Sequence, residues 1–338
     1  MINIIRNIIN NNRFERSYGF EDVAIKQQKN VCKSRLDVDI SSEVIRGITR
    51  PVPLIASNMS TVVNSDFCIK LYNLGALGFM HRALHWNEYR DEVMEIAKWC
   101  DVVCASVGIG DDQFDLAKKL ITHGANVIVI DIAHGFTDEV VHMAKLIKGY
   151  SNEIKIVVGN TINVDSAYEV NDYVDALKIG IAQGSGCETY QMTGCTEKQF
   201  SAVLKFKDAA KKLGLPVISD GGVKCPGDVV KALGCGASAV MAGQIFARCP
   251  ESAAEVIEIN GKNKKIYAGM ASRYVMDMWK NGVKNGTCVE GKTVYLDVGE
   301  SLDKLIERYS GALRSGLTYS GARDIKEFQR KCGFVLLK

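Results

Sequence analysis

One cysteine of the eleven in this 338-residue chain lies in a loop able to support an anion: Gln183-Gly184-Ser185-Gly186-Cys187-Glu188-Thr189. Backbone N–H groups in a Gly/Ser-rich loop approach and stabilise a thiolate. A thiolate is the form in which cysteine attacks carbon. A small loop residue without chemistry is the plainer reading of the same spacing. Cys68, Cys104 and Cys235 fall in apolar strand or helix patterns and read as core. Two further turns carry glycine, Asp220-Gly221-Gly222 and Gly243-Gln244. Glycine lets backbone N–H groups come close to an anion such as phosphate, and a following helix N-terminus adds its dipole. The same glycines also suit tight turns alone. Asp220 would repel a phosphate and suits the paired hydroxyls of a ribose. His81 and His134 also stand at strand ends, where histidine more often serves structure than acts as a base.

These residues recur at the ends of one repeated unit. A short apolar, β-branched run ends in a polar or Gly-containing turn, and a stretch with helical spacing follows. The strand candidates are 52–59, 76–81, 102–109, 125–132, 155–160, 176–181, 216–222 and 237–243. Near-continuous apolar runs suit parallel strands buried on both faces. Residues 114–123 and 138–148 read as helices, the second acidic at its start and ending in Lys. Eight alternating units predict a (β/α)8 TIM barrel. An open doubly wound sheet is the rival, weakened because no GxGxxG follows the first strand. In such a barrel the reactive groups gather at the C-terminal ends of the strands. Ser57-Asn58-Met59, His81-Arg82, Asp131, Gly159-Asn160 and the Cys187 loop all occupy such ends.

Two regions lie outside the repeat. Residues 1–50 form an N-terminal extension. A flap is inserted near residues 260–300, where KKIYAG and KTVYLDV flank the polar run NGVKNGTCVEGK. A long polar segment of this kind reads as a lid or a mobile element. The whole chain, 1–338, reads as a single barrel domain.

Bulk properties narrow the class. Hydrophobic residues make up 47% and charged residues 24%, as in a globular enzyme. A net charge of +3 argues against a nucleic-acid footprint and leaves room for one local phosphate site. No CxxC pair occurs, so neither a zinc ribbon nor a disulfide framework fits, and a reducing cytoplasmic compartment is expected. The first sixteen residues mix Asn and Arg with apolar residues and do not read as a signal peptide. No run approaches the ~18 apolar residues of a membrane span, so no membrane partner is expected.

With these residues in view, the chain closely resembles the IMP dehydrogenase/GMP reductase family from about residue 18 to its C-terminus. The resemblance is carried by KSRLDVDI (33–40), ASNMSTV (56–62), GFMHRA (78–83), GSGCETYQMTG (184–194), residues 217–243, VEGKTV (289–294) and LRSGLTYSGA (313–322). It implies a (β/α)8 barrel in which the loop cysteine attacks C2 of a purine nucleotide monophosphate and a thioimidate forms. A nicotinamide cofactor then takes or gives a hydride.

Carried onto this sequence, the resemblance makes Cys187 the nucleophile, with Thr189 and Glu290 moving protons. It places substrate contacts at Arg82, Asp220, Gly221, Gly222, Gly243, Gln244, Gly269, Met270, Ala271 and Gly291. Cofactor contacts fall at Ser34, Arg35, Asp131, Ile132, Ala133, Ile181, Ala182, Ser315 and Tyr319. The backbone carbonyls of Ala182, Gly184 and Cys187 would hold potassium. Family members are square tetramers, and Ser34-Arg35 match a segment that some of them place near a neighbour's cofactor.

The reductase branch is the closer one. Dehydrogenases usually carry CBS modules after the second strand and helix, and an Arg-Tyr pair in the flap. Here HRALHWNEYRDEVMEIAKWC passes straight to VVCASVG, and no Arg-Tyr pair occurs in 275–290. KCPGDV, VEGKTV and LRSGLTYSGA resemble the reductase, and Glu290 matches its glutamate. The resemblance thus implies NADPH-dependent reduction of GMP to IMP and ammonia. Alternatives are a dehydrogenase lacking its CBS modules and a weakened barrel that only binds purine nucleotides. Several positions depart from the family. Glu188 replaces a Thr, Tyr190 an Arg, Ala182-Gln183 a Gly-Pro, Arg82 a Lys and Thr287 an Arg. These bear on which purine is taken rather than on the class of reaction.

Overall fold

Eight short parallel strands close on themselves. They are β1 (Leu54–Ala56), β2 (Leu77–Met80), β3 (Cys104–Val107), β4 (Val127–Asp131), β5 (Lys155–Thr161), β6 (Ala176–Ile179), β7 (Val217–Asp220) and β8 (Ala239–Ala242). In this computed structural model, which describes residues 15–279, 282, 283, 286 and 288–337, β8 pairs with β1 and β6 pairs with β7. Each barrel strand therefore has two neighbours. Each of the eight segments expected from the sequence coincides with one of these strands, and only β5 overruns, by Thr161.

Helices cover the outside: α1 (Ser65–Asn73), α2 (Trp86–Trp99), α3 (Asp111–Thr122), α4 (Asp138–Tyr150), α5 (Asp165–Val170), α6 (Gln199–Leu213), α7 (Pro226–Gly234) and α8 (Leu302–Tyr319). Local chemistry sets their ends. Thr137 caps α4 by accepting from the Val140 N–H at 3.3 Å. α3 begins three residues before the expected start, with Asp111 and Asp112 on the positive end of its dipole. Only residues 100–103 separate α2 from β3.

Side-chain alternation divides the core into two layers. Val127 and Val129 of β4 point into the barrel, together with Ile55, Leu77, Phe79, Cys104, Val157, Ala176, Ile218 and Met241. Ile128 and Ile130 point outward against the helices. This is the period of two of a strand buried on both faces.

The N-terminal extension, which the sequence left without elements, closes the bottom. Strands Ser42–Ile45 and Ile48–Arg50 form a hairpin, and Val44 and Ile45 plug the barrel interior. Between them, Arg46 donates to the carbonyl oxygens of Val174 and Gly214 at 3.1 and 3.2 Å. Val23–Ile25 pairs antiparallel with Phe334–Leu336, so the two ends of the described chain meet in one sheet. The inserted region forms a three-stranded antiparallel sheet, Val256–Ile259, Lys262–Ala268 and Thr293–Asp297, carrying the helix Arg273–Trp279. The last two strands match the expected pieces, and the first was not foreseen.

Candidate active site

The same alternation builds the floor of the site. One step beyond the apolar inner layer, the inward positions become polar: Asp131 follows Val129, Lys178 follows Ala176, and Asp220 follows Ile218. Lys178, 1% exposed, reaches Asp131 Oδ1 at 2.5 Å and Asp220 Oδ2 at 3.3 Å through its Nζ. Asn160 Nδ2 donates to the same Asp220 oxygen at 2.9 Å and to the Gly180 carbonyl at 2.7 Å. Burial disfavours the Lys178 ammonium, but the two carboxylates outweigh it and hold its pKa above the ordinary lysine value. Burial likewise opposes the Asp131 carboxylate. Lys178, helped by Arg82 and Asn58, overcomes this and keeps Asp131 below the usual carboxylate range.

Above the floor lies a cavity of about 320 Å³, within the range of small-molecule sites. Its lining includes Cys187, Thr189 and Glu290. Cys187 Sγ lies 3.2 Å from Thr189 Oγ1. The flap holds this loop in place. The Glu188 N–H donates to the Glu290 carbonyl at 2.7 Å, and the Lys292 N–H donates to the Gly186 carbonyl at 2.9 Å. Gly269 permits this close approach, because a Cβ there would sit 2.4 Å from Gly186 O. At the base of the loop, Gln183 Nε2 lies 3.0 Å from Ile181 O, 2.9 Å from Thr196 Oγ1 and 2.8 Å from Glu197 O. That amide ties together the two ends of the Cys187 segment. Ala182 has φ 61°, in the left-handed region that favours glycine. That is a backbone reason for the glycine that the resemblance implies at this position.

Most of the remaining expected residues line this cavity, and the others lie elsewhere. Arg82, Asp131, Ile132, Ala133, Ile181, Ala182, Gly184, Asp220, Gly221, Gly243, Gly269, Met270, Ala271 and Gly291 all line the cavity. Gly222 and Gln244 are not among its lining residues: the Gly222 N–H donates to the Gln183 carbonyl at 3.2 Å, and Gln244 opens the short helix Gln244–Ala247. Ser34, Arg35 and Tyr319 line a second hollow of about 410 Å³, with Lys29 and Lys33, that shares no residue with the first. Ser315, on α8, lines neither of these two hollows. Thr287 lies outside the described residues.

His81 is structural. The Ala83 N–H donates to its Nδ1 at 3.1 Å, and burial lowers its pKa to about 4, so the ring is neutral. His134 is exposed on the loop after β4.

Several cavity residues escaped the sequence reading of function. Lys178 and Tyr267 were hidden inside strand patterns, although a lysine at an inward strand position was a usable signal. Asn160 was seen at a strand end but given no role. Met276 and Trp279, at i, i+3 on the flap helix, line the opening, and the Arg82 guanidinium lies 5.4 Å from the Trp279 ring centroid.

The donor sets can be compared with the groups the resemblance implies. Asp131 beside apolar Ile132 and Ala133 offers an acceptor and a flat wall, which suits a planar ring bearing an amide. Carbonyl oxygens such as those of Ala182, Gly184 and Cys187 are hard, neutral ligands that suit an alkali cation. Gly184 O already accepts from the Cys187 N–H at 3.0 Å, leaving its second lone pair.

A barrel with a cysteine loop pinned beneath a flap defines a class, and a sequence profile for the IMP dehydrogenase / GMP reductase domain matches residues 17–338. The chain belongs to that family. It is 31% identical over 323 residues to GMP reductase 2 of Bos taurus, covering 94% of this chain and 93% of the relative. It is 34% identical over 328 residues to a GMP reductase of Shewanella halifaxensis, covering 94% of each. With GMP reductase 2 of Homo sapiens it shares 32% identity over 330 residues, 94% of this chain and 93% of the relative.

Proposed function

We propose that this protein is a GMP reductase, converting GMP, NADPH and a proton to IMP, ammonia and NADP+. The observation that carries this reading is the meeting of Cys187, Thr189 and Glu290 on one cavity whose floor bears Asp220. C2 of guanine, flanked by two ring nitrogens, is electrophilic once the ring is polarised. The Cys187 sulfur adds to C2 and makes it tetrahedral. The 2-amino group then leaves, and the C–N double bond of a thioimidate forms. Ammonia is a poor leaving group until protonated, so Glu290 delivers a proton through the Thr189 hydroxyl. When bound, the nicotinamide cofactor supplies a hydride to C2, and the thiolate departs.

Asp220 takes the ribose hydroxyls, and the glycines at 221, 222 and 243, with Gln244, take the phosphate. Gly269, Met270, Ala271 and Gly291 flank the base. Asp131, Ile132, Ala133, Ile181 and Ala182 hold the cofactor, with Arg82 at the junction beside Asp131. Arg82 serves by charge and shape alone, since a guanidinium does not give up its proton. The carbonyls of Ala182, Gly184 and Cys187 hold potassium and so brace the Cys187 loop.

The whole chain acts as one catalytic unit in the cytoplasm, as a homotetramer. Ser34, Arg35 and Tyr319, set apart from the main cavity in one chain, serve the cofactor of a neighbouring copy. Ser315 belongs to the same cofactor set.

The test is direct. Purified protein mixed with GMP and NADPH should oxidise NADPH, read by absorbance, with IMP as product. Cys187→Ala should abolish turnover with the circular dichroism spectrum unchanged. No NADPH oxidation with GMP, dGMP or related purine nucleotides, or XMP formation from IMP and NAD+ instead, would overturn the reading.

A further inference from the structure

The ring order places β4 and β7 three strands apart, with β5 and β6 between them. Their terminal carboxylates, Asp131 and Asp220, both line the cavity and lie next to different groups of its lining residues. Asp131 adjoins Ile132 and Ala133, whereas Asp220 adjoins Gly221 and pairs in register with Met241, two residues before Gly243. A single buried ammonium, Lys178 of β6, bonds both. The two contacts are unequal. The bond to Asp131 is 2.5 Å and the bond to Asp220 is 3.3 Å, on an oxygen that also accepts from Asn160 at 2.9 Å.

We propose that Lys178 is a positioning residue that couples the two carboxylates of the site, so that nucleotide bound at Asp220 tightens cofactor binding at Asp131. This rests on the reading of the two carboxylates given above. Lys178 has three N–H donors and is almost fully buried at the cavity floor, so its charge is divided between the two carboxylates within its reach. Ribose hydroxyls donating to Asp220 compete with the longer Lys178 contact. The ammonium then settles on Asp131 and fixes the orientation of that carboxylate. A cofactor arriving next meets an acceptor whose ordering cost has already been met. Linkage requires the effect to be reciprocal.

GMP and NADP+ are titrated in a Cys187→Ala background, which serves as the wild type for Lys178 and Asp131, because without the thiol no thioimidate forms and without a reduced cofactor no hydride is delivered. Calorimetric titration of NADP+ into the full-length protein, with and without saturating GMP, gives the coupling factor. The wild type should bind NADP+ about 5-fold or more tightly when GMP is present. In Lys178→Met each ligand should still bind, and the factor should fall to about one. Asp131→Asn, which keeps the shape and removes the charge, provides a second variant should Lys178→Met fail to fold. It too should lose the coupling while GMP affinity alone stays within about 3-fold. An unchanged factor in a folded variant, or no coupling in the wild type, would overturn the inference while leaving the site assignment intact. A wild type that binds neither GMP nor NADP+ would remove the assignment itself, and the coupling with it.

Discussion

The reacting groups sit where small chemical changes have separable consequences. Cys187 Sγ and Thr189 Oγ1 are 3.2 Å apart, and the Glu290 backbone is bonded to Glu188, so the proposed relay runs across two bonded segments. Glu290→Gln keeps the shape and removes the proton source. It should lower kcat by ~10²–10⁴-fold, the worth of one acid–base group, with little change in GMP affinity. A rapid-quench measurement of ammonia release should locate the loss in the first half-reaction. A variant as fast as wild type would exclude Glu290 as the acid. At this scale the sequence was informative for side chains in glycine-rich turns and silent for those inside strands. Cys187 and Asp220 stood out in glycine-containing turns, whereas Glu290 came only from the family resemblance. Lys178 was masked by its neighbours in ALKIGI, since apolarity marks a strand without showing which of its residues face the reaction. Nor did any local pattern show that His81, rather than Arg82, was the buried partner of that turn.

Among the elements, the flap and the Cys187 loop hold each other in place. Gly269 lies against Gly186 O, and Lys292 and Glu290 supply the remaining backbone bonds. Gly269→Ala would push the loop away from the flap, because the clash is with backbone and no side chain can swing aside. An overpacked contact of this kind costs about 1–3 kcal/mol. The cost should appear as a lower urea midpoint together with a fall in kcat of at least 10-fold. A variant with wild-type turnover would show that the flap contact does not position the loop. The strand-and-helix alternation was legible because each barrel strand is a continuous apolar run between turn signals. The hairpin at 42–50 was not, because SEVIRGITR has no strong pattern of its own. Val44 and Ile45 become core only against a barrel floor that eight distant segments assemble.

For the whole molecule, the buried ring of His81 links fold to pH. Its folded pKa of about 4 lies below the ordinary 6.5, so between these values the unfolded chain holds a proton that the folded chain does not. Stability is therefore retained above about pH 6.5 and falls by up to ~3 kcal/mol as pH drops towards 4. Urea midpoints measured from pH 7 to pH 4.5 should decline more steeply for wild type than for His81→Asn, whose amide oxygen can replace Nδ1. Parallel slopes would contradict this. The chain carries a net charge of +3, and among the described residues no helix is long and apolar enough to cross a membrane.

The chemistry proposed for this barrel depends on where one sulfur lies relative to one carbon. A crystal structure of the protein with GMP bound measures that directly. Cys187 Sγ should lie within about 3.5 Å of C2, the distance of a near-attack geometry, with the ribose on Asp220. A base bound with C2 turned away from residue 187, or held too far for loop closure to bring the two together, would contradict covalent catalysis by this thiol.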